Sequence, residues 1–139
     1  MSGQLTQFGA NRAVQAGVGQ DVTATAAMYL ALITALPAGP DTATLAGFAA
    51  NEIATAGYSR QEVTWDTVSG DPSAILNAAD IVFGPMTADP PSVQYLFLTD
   101  TSIGTSGNVM AYWTADEAQD AGDGDSIRIA AGELAISVD

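Results

Sequence analysis

At 139 residues the chain is long enough for one domain with its own core. Sixteen acidic residues stand against three arginines, with no Lys and no His, for a formal net charge of −13, a balance that repels phosphate and argues against a nucleic-acid partner. The absence of Cys and His excludes disulfides, thiolate and imidazole metal sites, and both Ser-His-Asp and Cys-His catalysis.

In chain order, "QFGANRAVQAGVG" predicts a weak helix. Phe8, Arg12, Ala13 and Ala16 fall at helical spacing, and Gly17 and Gly19 end it. "TAAMYLALIT" predicts a buried central strand, with Met28, Leu30 and Leu32 alternating with Tyr29, Ala31 and Ile33, so that both faces are apolar. This run stops at Pro37, well short of the roughly 20 residues that cross a bilayer. The start, "MSGQLTQF", lacks the basic-then-apolar order of a secretory signal, and no membrane partner is expected. Asp41 or Thr42 is the expected cap of a short helix through "ATLAGFAANEI", turning Leu45, Phe48, Ala49 and Ile53 inward.

"YSRQEVTWDTV" alternates, with Val63 and Trp65 on one face and Arg60, Glu62 and Thr64 on the other. "SGDPSA" reads as a turn, "ADIVFGP" as a short strand carrying Ile81 and Phe83, and "TADPPS" as a loop. "VQYLFLTD" puts Val93, Tyr95 and Phe97 on one side and Leu96 and Leu98 on the other. "VMAYWTAD" sets Met110 and Tyr112 against Val109, Ala111 and Trp113. "DEAQDAGDGD" reads as an acidic loop. Two closing strands, 125–129 and 133–138, alternate and are expected to pair as a hairpin about Gly132. The sum is about seven short strands, which predicts a mainly β, antiparallel β-sandwich or barrel-like domain with one or two short helices. Residues 1–139 form that single domain, and 47% hydrophobic composition separates it from acidic disordered chains.

Each candidate site has a plainer competitor. Asp120, Asp123 and Asp125, with Asp116 and Glu117, form the densest carboxylate cluster, and hard oxygen ligands at short spacing suit calcium. Ser126, not Gly, follows Asp125, which breaks the EF-hand order, so a solvated acidic loop is preferred and no metal or cofactor is expected. Arg60 and Arg128 are expected to pair with nearby carboxylates such as Glu62 or Glu133 rather than to clamp an anion. Tyr58, two residues from Arg60, suggests a stacking or interface role for that arginine. Trp65 and Trp113 are expected in the core rather than as sugar platforms. Asp116 and Glu117 are adjacent and not placed across a cleft, so no enzyme is expected.

The order "MYLALITALP", "EIATAGYSRQEVTW", "NAADIVFGP", "VQYLFLTD", "GNVMAYW", "GDSIRIAAGELAISVD" resembles a family of small virion structural proteins of tailed bacteriophages. Its members are labelled head-decoration, minor tail or tail-fibre-like proteins. The likeness runs from about Met28 onward. Ala56 replaces the family's second Gly before the Tyr, and the acidic loop is long. The resemblance implies a non-enzymatic assembly part, made in the bacterial cytoplasm and carried on the virion. A capsid decoration protein docked on the head lattice is the favoured expectation, with a minor tail or fibre component touching the host as the alternative. A carbohydrate-binding module using Trp65 or Trp113 is a further alternative. The implied partners are the major capsid protein or tail proteins of the same particle, and further copies of the chain, as a trimer. Residues 1–21, the least patterned segment, are expected to be a docking arm with Leu5, Phe8, Arg12 and Val14 as contacts, removable without loss of the fold.

Overall fold

The computed structural model describes residues 1–23, 27–70 and 73–138. Among these residues nine strands and two helices follow in the order β1 (Ser2–Leu5), α1 (Gln7–Gly17), β2 (Tyr29–Ile33), α2 (Leu45–Ala49), β3 (Gln61–Glu62), β4 (Ser73–Leu76), β5 (Ile81–Phe83), β6 (Val93–Thr99), β7 (Val109–Gln119), β8 (Ile127–Ile129) and β9 (Ala135–Val138). Seven strands form one curled sheet, ordered β3-β2-β6-β7-β1-β9-β4, and β5 and β8 pair as a separate ribbon. The fold is mainly β and barrel-like, as the strand count predicts. All pairings are antiparallel except β1 with β9.

The sheet is covered on both faces, which is why β2 is apolar throughout. Leu30 and Leu32 enter a larger cluster with Leu96, Leu98 and Trp113, capped by Ile81, Phe83, Ile127 and Ile129 of the ribbon. Ala31 and Ile33 enter a second cluster with Phe97 and Tyr112, capped by Leu45 and Phe48 of α2. Phe48 lies 5.3 Å from Phe97 and 6.0 Å from Tyr112, ring centre to ring centre. Val93 would share the Tyr95 face on a regular strand, but the β6–β7 register shifts between Val93 and Tyr95. That irregularity delivers Val93 to the Leu96 cluster.

Several local expectations are corrected. The opening segment is not an appendage. Ser2–Leu5 lies inside the sheet, pairing Gln4 with Tyr112 and Leu5 with Ala111 on one side, and Ser2 with Ala135 and Gly3 with Ile136 on the other. Leu5 packs on the larger cluster. Gly3 lets the strand cross the Trp113 ring, since a Cβ there would sit 2.4 Å from the indole. Removing residues 1–21 would therefore split the sheet rather than trim it.

The closing strands do not pair with each other. β8 belongs to the ribbon and β9 to the main sheet, between β1 and β4. A turn in which the Glu133 N–H donates to the Ala130 carbonyl, with Gly132 at φ +81°, carries the chain from one layer to the other. Buried Asn77 ties that corner. Its amide donates to the carbonyls of Ala79 and Ala130, and its Oδ1 accepts from Leu134 N at 2.8 Å. β4 begins at Ser73, inside the "SGDPSA" stretch expected to be a turn, and has no counterpart among the predicted strands. Of the "YSRQEVTWDTV" run only Gln61–Glu62 is strand, with Trp65 joined to Asn77 by a lone bridge. Thr44, not Asp41 or Thr42, caps α2, its hydroxyl accepting from Gly47 N at 3.3 Å. Asp116 and Glu117 lie on β7, which runs on to Gln119.

Candidate interaction surface

The strand ends at Thr99, Val109 and Leu5 bring α1 and the β6–β7 connection to one end of the main sheet. Thr6 seats α1 there. Its buried hydroxyl accepts from Gly9 N at 3.2 Å and donates to the carbonyls of Val109 and Met110. Gly9 presses on β7 so closely that a Cβ would lie 2.2 Å from the Met110 carbonyl oxygen. Beyond this first turn the helix leaves the body. Residues 13–17 are all exposed, with Val14 65% and the capping Val18 70% accessible.

Of the residues expected to make contacts, Leu5 lies in β1, partly buried against the larger cluster, while Phe8, Arg12 and Val14 share α1. Phe8 is half-buried under the Arg12 guanidinium, 5.6 Å from the ring centre. Arg12 also donates to the carbonyl of Thr23. Among the described residues it forms no ion pair.

The β6–β7 connection is held firmly. Asp100 accepts from Asn108 N at 2.8 Å and from its side-chain amide at 3.0 Å. Arg60 reaches over the Phe97 ring and donates to the carbonyls of Thr101 at 3.1 Å and Gly104 at 2.9 Å. The same guanidinium forks onto both oxygens of Glu52, at 2.9 and 2.7 Å. The Tyr58 hydroxyl donates to Glu52 at 2.7 Å and accepts from Leu32 N at 3.1 Å. Burial, reinforced by the Glu52 charge, pushes the Tyr58 hydroxyl far up, so it stays protonated as a donor. The hydrogen bond that Arg60 donates to Glu52 raises Arg60 in turn. The side chains of Arg60 and Glu52 are only 5% and 15% accessible. This mount carries Ile103, 83% exposed, at the loop tip. A fixed backbone below an exposed apolar side chain lowers the entropy lost on contact.

Both arginine pairings are real, with other partners than expected. Arg60 takes Glu52 rather than Glu62, and Arg128 takes Asp80 rather than Glu133. The Ala131 N–H, then Arg128, holds the Asp80 carboxyl below its usual range. Trp113 is buried and donates to the Ala135 carbonyl at 2.9 Å, so its ring offers no platform, and Trp65 packs partly on the core. Asp120, Asp123 and Asp125 are exposed. Asp125 accepts from Gly122 N at 3.0 Å, and Asp123 N donates to Asp89 at 2.8 Å. Among the described residues no three carboxylates gather as metal ligands. Glu52, Asp100 and Ile103 were not singled out from the sequence. Only Ile103 carries a visible signal, a large apolar residue inside the "TSIGTSG" loop.

The family model described as Podophage GP4 fiber I protein gp80 matches residues 4–137, and the chain belongs to that family. It is thus a structural protein of a tailed-phage particle. No curated protein matches it.

Proposed function

We propose that the chain is a non-enzymatic component of the fibre apparatus of a podophage, carried on the tail rather than spread over the capsid, and that it joins its neighbours through the end bearing α1. The observation that carries this reading is the fibre-protein family match over residues 4–137, which takes in both helices and all of the strands except Ser2 and Gly3 of β1 and Val138 of β9. It moves the weight from head decoration, favoured by the sequence resemblance, to the fibre alternative. The braced Ile103 loop and the projecting α1 support an assembly role, because both hold apolar side chains out to solvent on anchored backbone. The buried Arg60–Glu52 pair supports a structural role, since every hydrogen-bonding direction found for it ends on the protein's own groups. A charge of −13 keeps free copies apart before assembly.

Immunogold labelling of purified virions tests the location. Gold at the tail and its appendages is the expected result. Gold spread evenly over the head would overturn the fibre reading in favour of decoration.

A further inference from the structure

We propose that a cavity between the main sheet and the β5–β8 ribbon, at the end of β6 and β7 away from α1, is a docking site for a lysine side chain of a different protein. The inference goes beyond the fibre reading and does not depend on it.

An irregular stretch of the sheet builds the cavity. Val93 pairs with Gln119 and Tyr95 with Thr114, so Gln94 alone stands opposite Ala115, Asp116, Glu117 and Ala118. A strand with surplus residues bends away from its partner, and such bulges at barrel rims re-aim side chains. Ala115, Glu117 and Gln119 share one face by the two-residue period of a strand, and all three line the space under the bend. That space measures about 200 Å³, and its floor is the buried Leu32, Val93, Leu96, Ile127 and Ile129. An apolar cavity of roughly 150 Å³ already holds a benzene-sized body.

The lip selects the head group. The Gln94 side-chain amide donates to the Ala115 carbonyl at 3.2 Å, and that of Gln119 to the Glu117 carbonyl at 3.3 Å. Both amide oxygens are left to accept. The cations at the lip are already engaged: Arg128 donates to Asp80, and the Met1 amino group donates to the Glu133 carbonyl at 2.6 Å. The Glu133 carboxylate accepts from Ala130 N at 3.3 Å. Glu117 differs, because among the described residues its carboxylate makes no ion pair. An apolar floor beneath open acceptors and an unpaired carboxylate fits a ligand with an apolar stem and a charged donor head. Lysine has that form, four methylenes ending in an ammonium with three N–H donors. An anion would be repelled by Glu117, and a neutral apolar body would leave the acceptors unused.

The source of the lysine follows from the composition. The chain contains no Lys and three Arg. Arg60 is buried against Glu52, Arg128 is held by Asp80 at the lip itself, and Arg12 is turned over Phe8. A second copy therefore offers no such head group, and the partner is a different protein. The charge of −13 draws a basic surface toward this one. One side chain binds weakly alone, and attachment to a larger contact raises its effective concentration.

The test is an amide NMR titration of the purified full chain with n-butylammonium, which is the lysine side chain cut free at Cβ. Shifts should gather on Val93, Leu96, Ala115, Glu117, Ile127 and Ile129. The capped peptide acetyl-Gly-Lys-Gly-amide should move the same amides, whereas n-butanol and butyrate should bind at least about fivefold more weakly, the scale of one partly exposed charge contact. Glu117→Gln should weaken butylammonium by a similar factor, and Ala115→Phe, which fills the space, should abolish the shifts. Glu117 is exposed, so E117Q keeps the test readable even where A115F disturbs the fold. Equal binding of butanol or butyrate, shifts scattered over the acidic surface, or no effect of E117Q would overturn the site. Binding of butylammonium without the capped peptide would make the occupant a free amine and overturn the protein partner. No virions are used, so the outcome is independent of where gold falls on the particle.

Discussion

Glu52 accepts three hydrogen bonds, two from Arg60 and one from Tyr58. The sequence shows Arg60 and Tyr58 as neighbours in an alternating run but offers no reason to reach back to Glu52, because the bridge between Glu52 and Ile33 is set by how the chain returns from α2. Pairing as a type of contact was legible; the partner was not. Removing the acid alone strands a buried guanidinium, so Glu52→Ala should cost about 3–5 kcal/mol in urea unfolding. A loss below about 1 kcal/mol, typical of an exposed pair, would contradict the burial argument. Tyr112 gives a pH test. Burial, then its hydrogen bond to Asp41, pushes its hydroxyl up to about 12 from 10.0. A raised folded pKa gives stability that is whole below pH 10 and drains away as pH climbs toward 12. Tyr112→Phe should therefore flatten the fall in stability across that window. An unchanged alkaline slope in the variant would sink the assignment.

Elements were legible where side chains alternate under a cover. β2, β5, β6 and β8 all stand out because one or both faces meet a core cluster. β1 was illegible for a physical reason. Its "SGQL" has one large apolar residue, and its place is fixed by backbone pairing to β7 and β9, not by a pattern of its own. The false hairpin at the end has a related cause. Alternation tells that β8 and β9 are strands, but not that each pairs with a strand dozens of residues away. At the candidate surface, α1 was legible as a helix, while its seat on Thr6 and Gly9 depends on Met110 and Val109 across the fold. A chain lacking residues 1–21 should lose its cooperative thermal transition. A truncated protein melting at the Tm of the full chain would show β1 to be dispensable.

For the whole molecule the governing fact is an acidic body with an acid-free helix at one end. The capsid and fibre readings differ most in number, since a decoration follows the head lattice and a fibre part follows the tail. Quantitative mass spectrometry of purified virions, scaled to the major capsid protein, measures this directly. The account predicts a small, fixed copy number of the order of the tail's own components; a ratio near a simple fraction of the capsid subunits, or absence from the particle, would contradict it.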